Sequence, residues 1–100
     1  MKKIIVLPFA EQDIIDSIEY YRLENENLVE NFINIINLFF SVIRENPTAF
    51  PKIKFEIRKF VINDFPYCIY YIEKIKAIYI IAVFHVKRNP VIWEKRNIVK

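Results

Sequence analysis

The side chains best suited to chemistry gather toward the end of the chain, where His85, Lys87, Arg88 and Trp93 stand close together. His85 is the single histidine of the 100 residues, and imidazole is the side chain that exchanges a proton most readily near neutral pH. His85 and Lys87 are two positions apart, so on a strand they project from one face. A histidine beside cations can act as general acid or base while the cations hold a phosphate. Arg58 is expected to reach the same surface from a neighbouring strand, and Lys52, Lys54 and Lys59 add positive potential around it. The same residues fit a second description, in which His85 is a satisfied structural histidine and the cations form a solvated rim. Spacing is compatible with both.

Other clusters carry less. Asp13, Asp16 and Glu19 follow i, i+3, i+6, but no histidine ligand lies near them, so a solvated helix face is expected rather than a metal site. Tyr67, Tyr70 and Tyr71 sit on a strand among basic residues. They could stack on bases, although core packing and cross-strand pairing are the commoner use of such residues. Cys68 is the only cysteine. It excludes an internal disulfide and a cysteine-based zinc site, and reads as a small buried hydrophobe. The chain has no glycine, which removes phosphate-binding loops, dinucleotide fingerprints and nucleophile elbows together. No metal and no cofactor are expected.

These residues must be positioned by a small, dense fold. With 54% apolar residues, nine Phe and six Tyr, 100 residues can build one core and not two, so residues 1–100 are read as one domain. The net charge of +3 hides an asymmetry. Residues 1–50 hold four Lys/Arg against eight Asp/Glu, and residues 51–100 hold eleven against four, so one surface should be acidic and another basic. No apolar run is long enough to span a bilayer, and no membrane partner is expected. The N-terminal Lys2-Lys3-Ile4-Ile5-Val6-Leu7 reads as a strand rather than a signal peptide, because Pro8 and a run of acids follow it.

A helix should open at Pro8, with an apolar stripe at Ala10, Ile14, Ile18 and Tyr21. Asn25-Glu26-Asn27 breaks it, and a second helix runs from about Leu28 to Arg44 before Pro47. The apolar stripe of that second helix is wider than one buried face needs. Three strands follow. Lys54–Asn63 alternates loosely, Tyr67–Ile72 is next, and Ala77–Lys87 is the longest. The last two form a hairpin apolar on both faces, and so central in the sheet, with helices on one side. The turn Glu73-Lys74-Ile75-Lys76 lacks Gly, Asn, Asp and Pro, which makes it the place where strand boundaries are expected to err. Residues 91–100 read as a short helix or tail.

The order β-α-α-β-β-β and several fragments resemble the RelE/ParE superfamily of type II toxins. The matching stretches are Pro8-Phe9-Ala10-Glu11-Gln12-Asp13-Ile14, Pro47-Thr48-Ala49-Phe50-Pro51, Ile57-Arg58-Lys59-Phe60 and Phe65-Pro66-Tyr67-Cys68-Ile69-Tyr70-Tyr71. The last is Ala82-Val83-Phe84-His85-Val86-Lys87-Arg88-Asn89-Pro90-Val91-Ile92-Trp93, with its His-x-x-Arg-x-Pro core. The resemblance implies an α+β fold, a curved and mostly antiparallel sheet under an N-terminal helical hairpin. It also implies a hetero-oligomer with a cognate antitoxin, while the lone cysteine and the lack of a spanning run suit a cytoplasmic protein. Two activities divide the family. ParE-like members poison DNA gyrase; RelE-like members cut mRNA on the ribosome. The Phe-Pro-Tyr strand and the closing motif look more ParE-like, which makes an enzyme the less expected outcome. In the gyrase reading, Lys52, Lys54, Arg58, Lys87, Arg88 and Trp93 would meet the target. In the nuclease reading, a metal-independent endoribonuclease, Arg58 would brace the phosphate, His85 would be acid or base, and Lys87 or Arg88 would stabilise charge. In either case the surplus stripe of the second helix, Phe32, Ile36, Phe39 and Phe40, would seat the antitoxin. A third reading, outside the toxin class, is a small basic nucleic-acid-binding module.

Overall fold

The computed structural model describes residues 2–62 and 66–85. Strand β1 (Lys3–Val6) leads into helix α1 (Pro8–Glu24) and helix α2 (Glu26–Glu45), followed by β2 (Lys52–Lys54), β3 (Ile57–Ile62), β4 (Tyr67–Glu73) and β5 (Ala77–His85). The five strands form one sheet in the order β1-β5-β4-β3-β2. The β1–β5 pair is parallel and the other pairs are antiparallel. This is the α+β architecture expected from the sequence, with one added strand.

Pro8 occupies the first turn of α1, where its missing N–H leaves nothing unpaired. A single residue, Asn25, separates the helices. Its backbone is extended, and its side chain accepts a hydrogen bond from the Asn27 amide at 3.0 Å, capping α2. The buried face of α1 is Ala10, Asp13, Ser17 and Tyr21, with Ile14 and Ile18 flanking it. Asp13 is thus a core residue, not part of a solvated acidic face. On α2 the buried residues are Phe32, Ile36 and Ile43.

The helix-facing side of the sheet contributes Phe60, Ile62, Tyr67, Ile69, Tyr71, Ile78, Ile80 and Val83 to one cluster with the helices. Ile57, Cys68, Tyr70, Ile72, Ile81, Ala82 and Phe84 form a second cluster on the opposite face. Strict alternation along β5 would put Ile78, Ile80, Ala82 and Phe84 together. A bulge prevents it: Tyr70 pairs with Ala82 and Tyr71 with Ile80, so Ile81 is the extra residue. The two ends of β5 therefore show different residue parities to the helices. Without the bulge, His85 would face away from the side it now shares with Ile78 and Ile80.

The strand expected over Lys54–Asn63 is two strands. Lys54 pairs with Ile57, which leaves Phe55 and Glu56 as a two-residue hairpin tip. Phe55 has φ 53°, the one positive φ among the described residues. The left-handed region costs a residue with a Cβ about 1–2 kcal/mol, which is why glycine usually fills such a position. In a chain without glycine a phenylalanine stands there instead. The suspect turn after Glu73 is regular, closed by the Lys74 amide donating to the Ala77 carbonyl at 2.9 Å.

Candidate functional site

Past Val6 and Ile80, the last residues paired between β1 and β5, the chain leaves the sheet to form α1. The β5 amide at Val83 then has no β1 partner. Asp13 Oδ2 supplies the acceptor at 3.1 Å from a side chain only 4% exposed. One turn on, Ser17 donates to the Asp13 carbonyl at 2.9 Å. Beside this seam, α1 and the ends of β4 and β5 border an open cleft of about 440 Å³ lined by Asp13, Asp16, Ser17, Tyr20, Tyr21, Pro66, Tyr67, Val83 and His85.

The walls of the cleft are aromatic. The His85 ring meets Tyr67 edge to face at 5.5 Å, and Tyr67 in turn contacts Phe32 at 5.2 Å and Tyr21 at 6.3 Å. Burial pushes the Tyr21 phenol well above its ordinary range, and the neighbouring Tyr67 adds to the shift. Tyr21 is therefore a neutral hydroxyl at any physiological pH. The cleft combines a partly buried imidazole, two carboxylates and the phenols of Tyr20, Tyr21 and Tyr67. It has the groups for binding and proton exchange, but the described residues place no guanidinium or ammonium on its walls.

Arg58 is elsewhere. It lies on β3, with β4 between it and β5. Its register partner on β4 is Tyr71, whereas that of His85 is Tyr67. The two are thus about 13 Å apart along the strands and about 10 Å apart across them. The guanidinium Nη1 donates to the Phe50 carbonyl at 2.6 Å and to the Thr48 carbonyl at 3.3 Å. Tyr71, fully buried, donates to the Pro47 carbonyl at 2.7 Å. Arg58 and Tyr71 together clasp the loop between α2 and β2, and burial raises the Tyr71 phenol to about 12 against the pull of Arg58. The expected convergence of Arg58 with His85 is not found, because β3 is not the neighbour of β5.

Lys52 and Lys54 lie on the exposed edge strand β2, at the Arg58 end of the sheet and far from the cleft. Lys59 points to the opposite face, its Nζ 6.0 Å from the Tyr70 ring centroid. Lys87, Arg88 and Trp93, and the expected tail, lie outside the described residues. Tyr67, Tyr70 and Tyr71 are each under 7% exposed and pack in the core, so none is a platform for bases. Burial also raises the Cys68 thiol above its ordinary value, with Lys59 opposing, which leaves it a poor nucleophile.

Of the stripe expected to seat a partner, Phe32 is fully buried and Ile36 is 3% exposed. Both are needed inside the molecule, where Phe32 packs on Tyr21 and Tyr67. Phe39 and Phe40 are half-buried against the core, with Phe39 on Phe60 at 4.8 Å. The apolar residues that α2 presents outward are Ile33 and Leu38. The Asp13 contact went unseen in the sequence. An acidic residue at a core spacing of the stripe, three after Ala10 and four before Ser17, was the one available sign.

Among solved structures, the fold matches a chain of "Chromosomal ParDE TA system from P. aeruginosa" with a TM-score of 0.76. The match covers 85% of this chain and 96% of that one at 13% identity. No family model and no curated protein matches the sequence. At this identity the likeness is one of fold, and it is the ParE-like fold expected from the sequence fragments.

Proposed function

We propose that this protein is the toxin of a type II toxin–antitoxin pair of the ParE-like kind, which arrests growth in the cytoplasm by poisoning DNA gyrase and is neutralised by a cognate antitoxin. The observation that carries the reading is the fold match to a ParDE toxin–antitoxin structure over nearly the full length of that chain. The sequence fragments around Phe-Pro-Tyr and His-x-x-Arg-x-Pro point the same way. Within the superfamily, the placement of Arg58 favours gyrase poisoning over mRNA cleavage. A phosphate-bracing arginine must stand within hydrogen-bond reach of the acid–base group's substrate. Here its guanidinium is engaged by two backbone carbonyls at the far end of the sheet from His85.

The test is expression under tight control, with gyrase-dependent DNA breaks and ribosome-bound transcripts assayed side by side. Growth arrest with accumulated DNA breaks and intact transcripts is the expected outcome. Cleaved transcripts with intact DNA would move the protein to the RelE-like branch. Normal growth, with salt-sensitive binding to naked nucleic acid, would favour the small basic binding module instead.

A further inference from the structure

We propose that the end of the sheet formed by the β2–β3 and β4–β5 turns is a docking surface for anionic lipid headgroups, with Phe55 and Ile75 entering the acyl boundary. The two tips are held together, since Lys74 Nζ lies 3.0 Å from Glu56 Oε2 across them. The start of β1 joins the same end, with Lys2 Nζ 2.7 Å from Glu73 Oε2 and Lys3 in register with Ala77. Ile75 is 90% exposed and Phe55 71%. Both sit on turns, and among the described residues neither belongs to a core cluster. The left-handed backbone at Phe55 is of the kind that persists where a side chain is held for use.

Charge and composition identify the partner. Lys2, Lys3, Lys52, Lys54, Lys74 and Lys76 stand at this end. Among the described residues the acids there are Glu56 and Glu73, and each is paired with a lysine. Clusters of this size are attracted to anionic membrane surfaces. Lysine is depleted at protein–protein interfaces, which prefer arginine and tyrosine. Ile75 has no π-face for a nucleobase. Aliphatic and aromatic tips ringed by lysine are instead the composition of interfacial anchors. No helix among the described residues is long and apolar enough to cross a membrane, and a peripheral contact requires none. The absence of a spanning segment, which led to the expectation of no membrane partner, therefore does not bear on this surface. The proposal stands apart from the gyrase reading and survives its failure.

Co-sedimentation of the full chain with vesicles tests it, using phosphatidylcholine alone or with about 30 mol % phosphatidylglycerol. Anionic vesicles are expected to bind at least about tenfold more tightly, and the difference should collapse as salt rises from about 0.05 to about 0.5 M. The double variant Phe55→Ser, Ile75→Ser keeps every charge and replaces only exposed side chains, so its melting midpoint should hold. It should lose about tenfold in vesicle affinity. Lys3→Glu with Lys76→Glu should abolish the preference for anionic lipid. Equal binding to both vesicle types, or full binding by the serine double variant, would overturn the proposal. So would vesicles left unbound while single-stranded RNA or an acidic peptide binds in a manner the serine pair weakens.

Discussion

Asp13 Oδ2 accepts the backbone amide of Val83 at 3.1 Å, joining the first helix to the last described strand across 70 residues of sequence. The carboxylate takes the place of a strand that has ended, and it keeps a buried N–H paired where β1 turns away. Asp13→Ala should lower stability by about 1–3 kcal/mol, the range for stranding a buried donor. Asp13→Asn keeps an acceptor oxygen and should lose clearly less. Urea midpoints of the two variants measure the difference. Equal losses would show that charge, not the Val83 contact, is what matters.

Tyr71 makes stability depend on alkaline pH. Its phenol rises from 10.0 to about 12 through burial. The folded state therefore holds this proton more tightly than the unfolded chain does. The stabilisation is fully present below pH 10 and fades as pH climbs from about 10 to about 12, for a total of about 3 kcal/mol. Tyr21 shifts in the same direction and extends the loss upward. Urea unfolding across this range should show the decline, and Tyr71→Phe should flatten part of it while removing the bond to Pro47.

Phe55 strains its turn. Phe55→Gly should relieve the left-handed backbone and stabilise the hairpin by up to about 1 kcal/mol, the gain from relief being partly offset by the entropy of the more mobile unfolded chain. Phe55→Val, β-branched and worse suited to positive φ, should destabilise by about 1 kcal/mol. Thermal midpoints read both. A Gly variant less stable than the parent would mean that the ring contributes more by contact than the backbone loses by strain.

Phe32 and Leu38 separate core from surface on α2. Phe32→Ala should cost about 3–5 kcal/mol, as expected for a large buried aromatic. Leu38→Ala, at a side chain 58% exposed, should stay within about 0.5 kcal/mol. Denaturant midpoints check both values. If Leu38→Ala nonetheless weakens binding to a partner, the outward face of α2 is where that partner sits.

Much of the architecture was legible because it rests on local signals. Pro8, Asn25 and the stripe spacing gave both helices to within two residues, and β4 and β5 were evident as long apolar runs. What escaped depends on contacts between distant residues. The bulge opposite Tyr70 and Tyr71 changes the facing of half of β5, and nothing local to Ile81 announces it. The Lys54–Asn63 run conceals its turn because Phe55 carries no turn chemistry. The candidate site was legible only in part. His85 does line a cleft, but its neighbours there, Asp13 and the tyrosines, come from α1 and β4, brought in by tertiary packing. Arg58 is expected beside His85 from a strand taken as its neighbour, and the strand order, with β4 between β3 and β5, keeps them apart.

The parallel pairing of β1 with β5 sets the timing of assembly. Among the described residues Lys3–Val6 pairs with Ala77–Ile80, so the first strand waits with its ladder unmade until more than 70 further residues have been made. A nascent chain emerging N-terminus first can form its two helices early, but their apolar faces have no sheet to rest on until β3, β4 and β5 have followed. Folding is thereby postponed until β5 has been synthesised. A truncated product ending before residue 77 would lack the parallel edge altogether and would expose the surfaces that chaperones and proteases recognise.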